Sequence, residues 1–117
     1  MVVRQIDNQQ AFVTKDGSSI REIINHGNAP MGEQSLAEAR LPAGLGTARH
    51  YHKASEEIYY ILSGTGVLEV GDESREVGAG DGILIPAGSW HRITAKDDMV
   101  FLCCCAPRYT HEDTYFE

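Results

Sequence analysis

The chain has 117 residues, enough for one domain with its own core and too few for two. Seventeen Asp and Glu against ten Lys and Arg leave a net charge of -7, which disfavours nonspecific attraction to nucleic acid or an anionic membrane. No run of eighteen apolar residues occurs, and Met1 to Lys15 lacks the basic start and apolar stretch of a secretory signal, so a cytoplasmic location is expected.

Helical periodicity is almost absent, while short alternating or apolar runs recur between Gly, Pro, Asn and Asp corners. The predicted strands are Phe12 to Val13, Ser19 to Ile24, Ser35 to Leu41, Thr47 to His52, Glu57 to Ser63, Gly66 to Val70, Glu73 to Val77, Gly82 to Ile85, His91 to Ala95 and Met99 to Ala106. Ser63-Gly64-Thr65-Gly66 and Val70-Gly71-Asp72-Glu73 read as hairpin turns, which predicts a three-stranded meander from Glu57 to Val77. Ile83-Leu84-Ile85 is apolar enough to be buried on both sides. The pattern predicts an all-β fold, a closed antiparallel barrel or jelly roll. Small residues such as Ala37 and Ala39 on one strand face would leave a cavity inside it.

Cys103, Cys104 and Cys105 are consecutive, and neighbours on a strand point to opposite faces, so no ordinary framework of bridges is expected. They lack the spaced pairs of a zinc site and read as reduced, small residues of a core strand.

His50 and His52 are two apart and share one face of a strand. Glu57 on the next strand and His91 on a later one can bring a carboxylate and a third imidazole to the same point. Three nitrogens and one oxygen suit a divalent transition metal such as Zn, Fe, Mn, Ni or Co, with positions left open for water or substrate. Tyr59 and Ile61 share the Glu57 face, whereas Tyr51, Ile58, Tyr60 and Leu62 face away, an apolar outer surface that needs cover.

Gly44-x5-His50-x-His52-x4-Glu57-x6-Gly64 has the spacing of the first cupin motif, and Gly80-x5-Pro86-x-Gly88-x2-His91 matches most of the second. The chain resembles a small single-domain cupin of the cupin 2, phosphomannose-isomerase-like kind, residues 1–117 forming one domain. Its core motifs lie at 44–64 and 80–95, with a C-terminal tail at 107–117. The resemblance implies a double-stranded β-helix barrel, His50, His52, Glu57 and His91 as metal ligands, and a homodimer. Glu56 rivals Glu57, but Glu57 keeps the spacing to Gly64. The motif's usual final Asn is Ala95 here, which removes a polar contact.

An ion held in this way is a Lewis acid for a small-molecule substrate: a sugar or its phosphate, a hydroxy or keto acid, or a polyketide-like ring. Isomerase, lyase or cyclase, and oxygenase chemistry are all open, because fold does not fix reaction. Tyr59 and His26 are the candidate proton carriers. A binding or sensing protein with a structural metal is the reading from a different class. Arg40, Arg49 and His111 read as surface residues, and Ser55 as a turn hydrogen-bonder. Trp90 reads as a rim or interface aromatic. The tail is read as a cap over the barrel mouth, a packing element against a partner, or a loose end.

Overall fold

Glycine and proline corners cut the chain into strands that pair across two sheets. The computed structural model describes residues 1–117. After a short 3-10 turn at Ile6–Asn8 come β1 (Phe12–Val13), β2 (Ser19–Ile24), β3 (Ser35–Leu41), β4 (His50–His52), β5 (Glu56–Ser63) and β6 (Thr65–Val70). They are followed by β7 (Glu73–Gly78), β8 (Gly82–Ile85), β9 (His91–Ala95), β10 (Met99–Ala106) and β11 (Thr114–Phe116). One sheet runs β1-β2-β3-β10-β5-β8 and the other β11-β4-β9-β6-β7, and every strand pair is antiparallel. This is the all-β jelly roll expected from the pattern. No helix is long and apolar enough to cross a membrane.

Period-two alternation decides what lies between the sheets. On β5, Glu57, Tyr59 and Ile61 are buried while Glu56, Ile58, Tyr60 and Leu62 are exposed. On β9, His91, Ile93 and Ala95 are buried. Leu41, Ile61, Ile85, Ile93, Met99 and Phe101 pack into one apolar core, continued by the small Ala37 and Ala39. Those two alanines line a cavity instead of filling it, as their size suggested.

Four expectations are corrected. The stretch from Glu57 to Val77 is not a meander: β5 pairs with β10 and β8, whereas β6 pairs with β7 and β9. Gly64, at φ 82°, turns the chain from one sheet to the other, so Ser63 to Gly66 is a corner; Val70 to Glu73 is the true hairpin. The strand at Thr47 begins only at His50, because Ala48 turns its N–H to Asp16 O and its carbonyl to the His50 ring. Leu84 is exposed, since β8 is an edge strand with one covered face. Of the three readings of the tail, the loose end is set aside: β11 pairs with β4, setting Thr114 opposite His52 and Phe116 opposite His50.

The outer face of β5 and β8 exposes Ile58, Tyr60, Leu62 and Leu84, each between 42% and 58% accessible. Tyr51 does not belong to this patch. It lies on the other sheet, stacked on Tyr115 at 5.0 Å and edge-on to Trp90 at 4.6 Å.

Candidate metal centre

His50 and His52 leave β4 on one face, and His91, the first residue of β9, lies directly opposite His50 in the ladder. Glu57 reaches the same place from β5 in the facing sheet. All four are buried, and the three imidazoles each bring a ring nitrogen within 4.8 Å of the others. Glu57 Oε1 lies 3.3 Å from His52 Nε2 and 3.4 Å from His91 Nε2. Glu56 points outward, so the carboxylate beside the histidines is that of Glu57.

The ring orientations are set from behind. His50 Nδ1 donates to Ala48 O at 2.7 Å and His91 Nδ1 to Ser89 O at 2.9 Å, and a carbonyl can only accept. Both rings therefore present a lone pair at Nε2. Glu57 Oε2 accepts from Cys105 Sγ at 3.3 Å, which leaves Oε1 for the histidines. His91 Nε2 and Glu57 Oε1 are buried without any hydrogen-bond partner. With the His91 ring neutral these are two buried acceptors facing each other at 3.4 Å, which is destabilising unless a proton or a metal cation lies between them. The donor set, three imidazole nitrogens and one carboxylate oxygen, therefore fits a divalent transition metal, and its type does not choose among Zn, Fe, Mn, Ni and Co.

Burial alone would raise the Glu57 carboxyl, but His52 and His91 within hydrogen-bond reach hold it down at about 2. Burial lowers His50, and the neighbouring His91 lowers it further. Burial also acts to lower His52, yet the Glu57 carboxylate outweighs it and the ring ends above 6.5. Without an ion, the Glu57–His52 attraction stabilises the fold below about pH 6.5 and is lost as pH rises through the raised His52 value. A metal must displace that proton. Zinc affinity is therefore expected to fall about tenfold per pH unit as pH drops through the His52 value and to level off above it. Competition titrations against a chromophoric chelator at a series of pH values check this; an affinity flat between about pH 6 and 8 would contradict it.

Beside the imidazoles lies a cavity of about 620 Å³, open mouth included, lined by Glu22, Ala37, Ala39, Tyr59, Phe101, Cys103, Cys105, Tyr109 and Phe116 among others.

The model of the cupin domain matches residues 37–105. The chain belongs to the cupin family. Across 97% of this cupin and 93% of its relative it is 44% identical to the Uncharacterized protein MJ1618 of Methanocaldococcus jannaschii. It is also 37% identical to the Oxalate-binding protein of Thermotoga maritima, over 57% of each chain. Among solved structures, Streptomyces Pac13 with uridine superposes with a TM-score of 0.83 at 19% identity, covering 100% of this chain and 91% of that one. Pac13 is described as a nucleoside dehydratase. At that identity the likeness shows the cupin fold alone.

Most of the other sequence-level readings find their places. Tyr59 lines the cavity, and burial, then Glu57, raises its hydroxyl well above 10, so it stays protonated at neutral pH. His26 sits in an exposed turn and is not among the lining residues. Arg40 pairs with Glu38 at 2.8 Å and Arg49 approaches Glu117 at 3.7 Å, both away from the cavity. His111 is exposed beside the Tyr109 hydroxyl. Ser55 Oγ donates to Pro107 O at 2.7 Å, a tie to the start of the tail and not to its own turn. The thiols are free: Cys105 is buried, while Cys104 points outward and is exposed. Ala95 lies in the core, not in the cavity lining, so the missing Asn costs no pocket contact.

Sequence reasoning missed Glu22, Thr114 and Phe116, all of which line the cavity. Glu22 shares the face of Ile20 by alternation, but nothing in the chain says that this face of β2 looks inward. The two tail residues escaped because the strand carrying them is only three residues long.

Proposed function

We propose that this cupin is a metal-dependent enzyme that moves a proton on a small, hydroxyl-bearing substrate, in an isomerase or lyase type of reaction. The observation that carries the metal is the facing pair of partnerless buried acceptors, His91 Nε2 and Glu57 Oε1. His50, His52, Glu57 and His91 would hold the ion, which when bound would supply a Lewis acid for a substrate oxygen. The cavity's own charges argue for an uncharged ligand. Apart from histidine, its only basic lining residue is the exposed Lys15, while Asp16 and Glu22 are acidic. Phosphates and dicarboxylates would find no arginine there. Tyr109 and Phe116 offer ring faces for a flat or cyclic substrate.

Glu22 is the proton carrier best supported. It lies opposite Ala37 in the sheet, Ala37 opposite Cys103, and Cys103 opposite Tyr59, so two small residues separate it from Tyr59 along one inner row. A substrate lying over Ala37 and Cys103 would have Glu22 on one side and the Tyr59 hydroxyl on the other. Burial raises the Glu22 carboxyl, against the opposing pull of Asn25 and His26, which shifts it toward neutral pH where an acid–base group works best. Tyr59, held protonated, would serve as a hydrogen-bond donor.

The test is turnover of a panel of nucleosides, free sugars and hydroxy acids by protein loaded with Zn(II), Mn(II), Ni(II) or Fe(II). Glu22→Gln is expected to keep its metal and lose about 10²- to 10⁴-fold in kcat. Full activity in that variant would remove Glu22 from the reaction. A second reading, a binding protein without turnover, is favoured by the likeness to the Oxalate-binding protein. Tight oxalate binding with no product under any metal would establish it.

We also infer a homodimer formed through Ile58, Tyr60, Leu62 and Leu84, because an apolar patch on one sheet face needs cover. Light scattering at micromolar concentration is expected to give twice the 12.9 kDa chain mass, and a stable 12.9 kDa species would overturn the inference.

A further inference from the structure

We infer that Thr114, on the C-terminal strand, is a positioning residue for the metal centre: its hydroxyl holds the His52 imidazole so that Nε2 faces the cation, and tight metal binding therefore depends on the docked tail. The inference rests on the metal site proposed above and concerns how that site is built.

The three imidazoles are not held alike. His50 and His91 each donate from Nδ1 to a backbone carbonyl two residues upstream, so their orientation is local. His52 Nδ1 lies instead 3.2 Å from Thr114 Oγ1, which comes from 62 residues further along the chain. The Thr114 hydroxyl has one proton, and it gives that proton to Thr110 O at 3.0 Å. Only a lone pair is left to face the imidazole. His52 Nδ1 therefore carries a hydrogen, and the metal-binding lone pair falls at Nε2, on the side of Glu57 Oε1 at 3.3 Å. The ring's outer partner thus fixes which nitrogen is free, as such partners do at metal sites generally.

The element that delivers Thr114 is tied down beside the site. Asp113 takes the backbone N–H groups of Ala54 and Ser55 on its carboxylate at 2.9 and 3.1 Å, and its carbonyl accepts from Lys53 N at 3.3 Å.

The test uses zinc alone as the probe. Thr114→Val keeps the shape and removes the acceptor; Thr114→Ser restores it. Zinc affinity, read by competition with a chromophoric chelator, is expected to fall about 10- to 100-fold in the valine variant and to recover in the serine variant. In zinc-loaded wild-type protein, proton NMR is expected to show three slowly exchanging low-field imidazole N–H resonances, with one lost in Thr114→Val and three present in Thr114→Ser. Circular dichroism melts of the metal-free variants report whether each is folded. Unchanged zinc affinity with all three resonances in Thr114→Val would overturn the inference, as would an equal loss in Thr114→Ser, which would make the effect one of packing. Wild-type protein that takes up no zinc would instead bring down the metal site itself.

Discussion

A His91→Ala variant is expected to lose zinc affinity by more than the roughly 100-fold that accompanies loss of an outer hydrogen-bond partner, because the change removes a donor itself. His91 is 1% exposed, directly opposite His50 and 3.4 Å from Glu57, so no water-exposed group can swing in to replace it. Thermal melts give a second view. A ligand that binds only the folded state stabilises it by about 4 kcal/mol at a thousand times its dissociation constant. Wild-type protein should gain that stability on adding zinc, and His91→Ala should gain less than about 1.4 kcal/mol at the same zinc concentration. The metal-free variant need not be unstable in proportion, since the substitution also removes one of two partnerless buried acceptors. An equal zinc-induced rise in melting temperature in both proteins would show that the ion binds elsewhere.

Gly64→Ala is expected to be the most damaging single-methyl substitution in the chain. Gly64 has φ 82°, where an L side chain is strained, and an added Cβ would fall 2.1 Å from Asp98 O and 2.9 Å from Asp98 C. Those are backbone atoms at the entry to β10, and they cannot step aside. Left-handed strain alone costs about 1 to 3 kcal/mol, and the clash adds to it, so a loss of about 3 kcal/mol or more is expected in urea unfolding. Gly71→Ala is the control: φ there is 58°, but nothing lies within 4 Å of the new Cβ, so only the strain is incurred. If the two variants lost equal stability, the corner at Gly64 would not be the tight crossing described. The effect bears on the site as well, since Gly64 ends the strand that carries Glu57.

Much of this was legible in the residues because one rule, alternation along strands, governs both core and site. It placed His50 with His52, and it set Glu57, Tyr59 and Ile61 against the exposed Ile58, Tyr60 and Leu62. What alternation cannot supply is the identity of the neighbour across a gap. Ser63 to Gly66 has the residues of a hairpin, and only Asp98, distant in sequence, makes it a corner. His26 drew attention as an imidazole, yet it sits in an exposed turn beyond the end of β2, while the less conspicuous Glu22 lines the cavity. The tail was hardest to read. Thr114-Tyr115-Phe116 is too short to announce a strand, and it becomes one because Asp113 clasps the Ala54 and Ser55 amides and Tyr115 stacks on Tyr51.

X-ray absorption at the metal edge, on protein reconstituted with one equivalent of zinc, tests the central claim most directly. The account predicts one tightly held ion per chain with a first shell of nitrogen and oxygen at about 2.0–2.2 Å and the outer-ring scattering of three imidazoles. Failure to retain any ion, or a shell dominated by sulfur at about 2.3 Å, would contradict it.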